Sequence, residues 1–138
     1  MKLLILILIS FFWMTAFQVE GQGFVGMHAD SVKLLMKVEH EDFSLNTTST
    51  NKYYSYLKYE DRIGTQTFLI FLDDENICKY YKEIYDYSLQ KQVIKDLNNR
   101  FVNIGDTLWT DKVEKGIVMK KRTQNEWFFS ITTRLEIK

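Results

Sequence analysis

Near the C-terminus, Trp127, Phe129, Ile131, Thr133, Leu135 and Ile137 alternate with Phe128, Ser130, Thr132, Arg134, Glu136 and Lys138. One set is nearly all apolar and the other mostly polar. That period of two predicts a half-buried antiparallel strand with Trp127, Phe129 and Ile131 turned into the core. The stretch NKYYSYLKYE (51–60) follows the same period, with Tyr53, Ser55, Leu57 and Tyr59 on one face and Tyr54, Tyr56, Lys58 and Glu60 on the other. TQTFLIFL (65–72) is β-branched and aromatic and too short for a helix, so it reads as a central strand. Asp61-Arg62-Ile63-Gly64 supplies the turn between them, which makes 53–72 a hairpin.

Two stretches repeat at helical spacing instead. Asp30-Ser31 precede Val32, Leu35 and Met36, predicting a short helix over about 31–40. After a Ser/Thr/Asn loop (44–51) and the hairpin, Asp73 or Asp74 caps a second helix with Ile77, Tyr81, Ile84 and Tyr85 on its apolar face. A break at Tyr87-Ser88 starts a third, carrying Val93, Ile94, Leu97 and Phe101, so about 75–100 reads as a helical hairpin. Strands follow at 107–110, 117–121 and the C-terminal segment. The order α-β-β-α-α-β-β-β predicts an α+β domain: an antiparallel sheet of about five strands with helices packed on one face. No strong tandem repeat is visible.

The apolar run Leu3 to Phe17 behind Lys2 has the length of an export signal. With cleavage after Gly21, residues 1–21 are a signal peptide and 22–138 a single α+β domain, periplasmic or secreted. A spanning helix needs about 20 apolar residues, so no stable membrane anchor is expected after cleavage. Net charge is zero, and it stays zero when Lys2 and Glu20 leave with the signal, which argues against a nucleic-acid partner. Cys78 is the sole cysteine, so no intramolecular disulfide forms. The absence of proline, the two alanines and the abundance of Lys, Ile, Asn, Tyr and Phe point to an AT-rich bacterial genome. In such a product the Asn46-Thr47-Thr48 sequon carries no meaning.

Residues able to do chemistry are sparse. His28 and His40 lie twelve apart, which is no metal-ligand spacing, and read as solvated surface. Cys78 reads as a packed thiol, and Asp73-Asp74-Glu75-Asn76 as a helix cap rather than a calcium loop. No phosphate loop, zinc pair, nucleophile elbow or dinucleotide fingerprint occurs, so neither an enzyme nor a cofactor is expected. The binding surface nominated by strand parity is Tyr54, Tyr56 and Lys58 together with Phe128 and Arg134, an open aromatic and basic sheet face suited to a protein partner. The plainer reading is that these rings only cover a pleated surface. The alternative function is a small-ligand binder or an enzyme whose site joins sequence-distant residues, in a pocket holding His28, His40 or Cys78. A ligand-free accessory domain of the cell envelope is a third.

Gly26-Met27-His28-Ala29-Asp30-Ser31-Val32-Lys33-Leu34-Leu35-Met36 resembles the opening of the SmpA/OmlA-type domain, in which a Gly-Met pair precedes a sheet-packed helix. The positions that fit are Gly26, Met27, Val32 and Met36, and the chain lacks that family's lipid-anchor cysteine. The β-lactamase-inhibitor-protein-like fold is similar. The first resemblance implies a helix packed on a small antiparallel sheet, and the second helices on one sheet face with the other offered to a partner. The whole chain also resembles small exported proteins of Bacteroidota, which implies a cell address and no activity.

Overall fold

The computed structural model describes residues 22–47 and 53–137. The export-signal reading of 1–21 and part of the 44–51 loop lie outside the described residues. The chain runs α1 (Ala29–Glu39), β1 (Phe43–Leu45), β2 (Tyr56–Asp61), β3 (Gln66–Leu72), β4 (Cys78–Asp86), a 3-10 turn (Tyr87–Leu89), α2 (Gln90–Arg100), β5 (Val102–Gly105), β6 (Leu108–Val113), β7 (Gly116–Gln124) and β8 (Phe128–Ile137). All eight strands form one sheet in the order β1-β2-β3-β4-β8-β7-β6-β5, every neighbouring pair antiparallel. The fold is therefore not the expected α+β domain of about five strands and three helices. A helix followed by a four-strand meander occurs twice, and the two meanders meet at β4 and β8.

The correction centres on β4. Tyr81 and Tyr85 are four apart, a spacing that puts them on one face of a helix and equally on one face of a strand. Tyr80, Tyr81, Ile84 and Tyr85 favour the strand, and β4 pairs on both sides, with β3 and β8. The expected helix cap at Asp73 closes a turn instead. Its Oδ1 accepts from the N–H groups of Glu75 and Ile77, each at 2.9 Å, while Asn76 takes the left-handed backbone (φ 61). Only the later part of the expected helical hairpin is helical, as α2.

The parity expected of β8 holds at Phe129, Ile131 and Thr133, all fully buried, but Ser130 of the other face is buried too and Ile137 at the strand end is 79% exposed. Trp127 does not follow it. Trp127 sits in the turn ahead of β8, where the Asn125 N–H bonds to the Phe128 carbonyl, and is 77% exposed. The expected hairpin is β2–β3, with Tyr59 opposite Phe68 and Leu57 opposite Ile70.

Those inward residues meet Val32 and Met36 of α1 and Phe24 of the preceding segment in one apolar cluster. A second cluster joins Leu97 of α2 to Phe101, Trp109, Phe129 and Ile131. The segment before α1 is fixed by backbone bonds to β4: Gly26 N–H to the Cys78 carbonyl at 2.9 Å and Cys78 N–H to the Met27 carbonyl at 2.8 Å. The two edge strands are the short β1 and β5, which limits edge-to-edge association. Among the described residues, no helix is long and apolar enough to cross a membrane.

Candidate functional site

Strand registers decide which side chains share the face opposite the helices. Tyr56 stands across from Phe71, Phe71 from Tyr80, Tyr80 from Arg134 and Arg134 from Met119. The result is a row crossing β2, β3, β4, β8 and β7. Its rings touch: Tyr56 and Phe71 centroids are 5.9 Å apart, Phe71 and Tyr80 stack at 4.6 Å, and the Arg134 guanidinium lies 4.5 Å above the Tyr80 ring. The adjacent row carries Lys58, Leu69, Lys82, Thr132 and Lys121. Lys58 pairs with Glu60 at 2.8 Å, and that bond, with one from the Asn46 amide, holds the Glu60 carboxyl below the usual range. Lys82, Lys121 and Arg134 have no carboxylate in ion-pair contact among the described residues.

Of the five residues nominated from the sequence, Tyr56, Lys58 and Arg134 lie within these two rows. Phe128 shares the face but stands opposite Asp86, six residues along β8 from Arg134 and so about 20 Å away. Tyr54 precedes β2, exposed and outside the ladder. The five do not make one patch. Phe71 and Tyr80, which complete the row, are absent from the nominated set. Phe71 sits on the outward parity of its predicted strand and was open to the same reasoning. Tyr80 was hidden by the helical reading of 75–86.

On the helix side, the two apolar clusters do not fuse. A cleft of about 240 Å³ separates them, floored by Phe68, Tyr81, Glu83 and Lys120 and flanked by Glu39 and His40 on one side and Asp96 and Arg100 on the other. Lys120 shares the inward face of β7 with Val118 and is 6% exposed. Its Nζ donates to Thr133 Oγ1 at 2.8 Å and Tyr81 Oη at 3.4 Å, and lies 5.5 Å and 5.1 Å from the ring centres of Tyr81 and Phe101. Burial pushes its amine below the ordinary lysine value, against the pull of the Glu83 carboxylate. Burial pushes the Tyr81 and Tyr85 hydroxyls up, and Tyr85 donates to Glu83 Oε1 at 3.0 Å. Gly23, at φ +55, covers the Tyr81 hydroxyl so closely that a Cβ there would stand 2.2 Å from it.

The remaining candidates separate. His28 caps α1, its Nδ1 accepting from Asp30 N–H at 3.2 Å. His40 ends that helix and packs edge-on against Phe43 and Phe68 rather than standing free in solvent. Cys78 is buried, its thiol pushed up to about 12 by desolvation and then by Asp73, and its Sγ contacts the Tyr80 carbonyl at 3.6 Å. Among the described residues, no three His, Cys, Asp or Glu side chains converge as a metal site. A wider, shallow groove of about 600 Å³ runs beside α2, lined by Lys91, Lys95, Asn98 and Arg122 among others. Compared with family models, curated proteins and solved structures, the chain matches none.

Proposed function

We propose that the chain is an exported binding domain, not an enzyme, and that it docks an acidic protein surface on the sheet face opposite its helices. The observation that carries this reading is the Tyr56–Phe71–Tyr80–Arg134 row. Tyrosine and arginine are favoured interface anchors, and here the rings are already stacked, so little side-chain freedom is lost on binding. The charge sets the partner's sign. Lys82, Lys121 and Arg134 lie inside the face, Glu60 is neutralised by Lys58, and Asp86 and Glu136 sit at the strand ends. A partner offering carboxylates around an apolar centre matches this arrangement.

A photo-crosslinking residue at Tyr80, with another at Trp127 as control, tests the proposal in the envelope fraction. One dominant adduct is expected from position 80 and none from position 127, and Arg134→Glu should abolish it. Equal labelling from both positions, or adducts only to a second copy of this chain, overturns the proposal. Purified, Tyr80→Ala and Arg134→Ala should each weaken binding of the captured partner by about 1–4 kcal/mol.

A further inference from the structure

The cleft on the opposite side of the sheet holds charge without pairing it. Lys120 is buried with hydroxyls and rings around its ammonium, and among the described residues neither it nor Arg100 has a carboxylate in ion-pair contact. An uncompensated buried ammonium is strongly disfavoured, and hydroxyls solvate it without cancelling its charge. Glu83 is the half-buried acid on the same floor, and it too has no cation in contact. Its Oε1 takes the Tyr85 hydroxyl, which leaves Oε2 able to accept.

The charges also converge on β4. Lys120 donates to Tyr81 Oη, Glu83 bears on both Tyr81 and Tyr85 from between them, Asp96 bears on Tyr85, and the Glu83 carboxylate pulls on Lys120 without touching it. Asp96, Glu39 and Arg100 are exposed at the rim, and Asp96 already accepts from Gln92 at 2.9 Å. Inside, one cation faces one anion across a gap too wide for direct contact, between walls supplied by Phe24, Phe68, Leu97 and Phe101. A plain anion would be opposed by Glu83, and a plain amine by Lys120. A cleft of about 240 Å³ falls short of the usual range for drug-sized ligands, so it suits a small one.

We propose that this cleft binds a free α-amino acid with an apolar side chain, its carboxylate on Lys120 and Arg100, its ammonium on Glu83 and its side chain among the phenylalanines. The site is independent of the partner face, because the two lie on opposite sides of the sheet.

Calorimetry on the whole chain separates the two charges with three probes: L-phenylalanine, 3-phenylpropionate without the ammonium, and phenethylamine without the carboxylate. L-Phenylalanine is expected to bind saturably and each analogue about 10- to 100-fold more weakly, the size of a lost charge-assisted hydrogen bond. Lys120→Met should weaken L-phenylalanine and strengthen phenethylamine, whose opposing charge it removes, while Glu83→Gln should weaken L-phenylalanine and strengthen 3-phenylpropionate. Should Lys120→Met fail to fold, the Glu83→Gln arm decides alone. The proposal is overturned if L-phenylalanine and L-leucine both fail to bind at millimolar concentration. Unchanged affinity for L-phenylalanine in the folded variants also overturns it.

Discussion

The two helix-and-meander units share an element order but not a way of holding their helix. In the first, α1 buries Ala29, Val32 and Met36 in a cluster of eleven buried residues. In the second, the cluster has six, and α2 contributes Leu97 as its buried residue. Polar ties supplement the packing of α2. Trp109 Nε1–H donates to Asn98 Oδ1 at 2.8 Å, Asp86 caps the 3-10 turn through Ser88 N–H at 2.8 Å, and the Tyr87 hydroxyl donates to the Asn125 carbonyl. A helix held by one buried side chain, the half-buried Val93 and Ile94 and a few hydrogen bonds opens at lower free energy than one held by a wide apolar contact. The cleft lies between the two helices, so its α2 wall is the one able to move. The open sheet face is ruled on both halves by strand pairing and does not depend on α2.

The strongest way to break this comparison is to remove what both halves share. Phe129 of β8 is fully buried where the second meander meets β4. Phe129→Ala is expected to cost about 3–5 kcal/mol in urea melts and keep a single transition. Two separated transitions would show that the units fold apart.

A smaller change sharpens the contrast between the helices. Asn98→Ala removes the acceptor of the buried Trp109 N–H and should cost about 1–3 kcal/mol. In hydrogen exchange, α2 amides should speed up more than those of α1. Equal acceleration in both helices would mean that α2 has no separate opening.

Acid should act on the other half. Asp61 is desolvated, which raises its carboxyl, but bonds from the Thr65 hydroxyl and the Gln66, Thr65 and Gly64 N–H groups outweigh this and leave it depressed. Its stabilisation of the β2–β3 turn is present above the ordinary carboxyl value of about 4 and is lost as pH falls through the lower folded value. Lys120 has the opposite profile. Its folded value lies below the ordinary lysine value of about 10.4, so its burial cost persists at neutral pH and is relieved as pH rises between the two. Exchange measured against pH should therefore show β2–β3 loosening in acid and β7 tightening in alkali. Lys120→Met should abolish only the alkaline change.

The smallest effect is expected at Trp127. It is exposed in the turn before β8, so Trp127→Ala should stay within about 0.5 kcal/mol of wild type. A larger loss would place that ring against the domain.

Local pattern determines a good part of this protein. The spacing of Val32 and Met36 specifies α1, the Asp61–Gly64 turn specifies the β2–β3 pair, and the alternation through Phe129, Ile131 and Thr133 specifies which face of β8 is buried. From the same parity Tyr56, Lys58 and Arg134 fall on the open face without any knowledge of their neighbours. Trp127 fails because alternation does not say where a strand begins, and the turn at Asn125 takes that residue out of the ladder.

Tertiary structure decided the rest, because its causes are not local. Residues 78–86 are compatible with either period, and strand is selected when β3 and β8 supply partners for both edges of their backbone. That pairing brings Tyr80 to Arg134, more than fifty residues along the chain, and so creates the row that Tyr56 alone could not announce. The parity of Lys120 with Val118 is readable in the sequence, but its burial is not. Burial depends on Phe101 and α2 closing over β7, a contact set by where the second helix lands on the sheet.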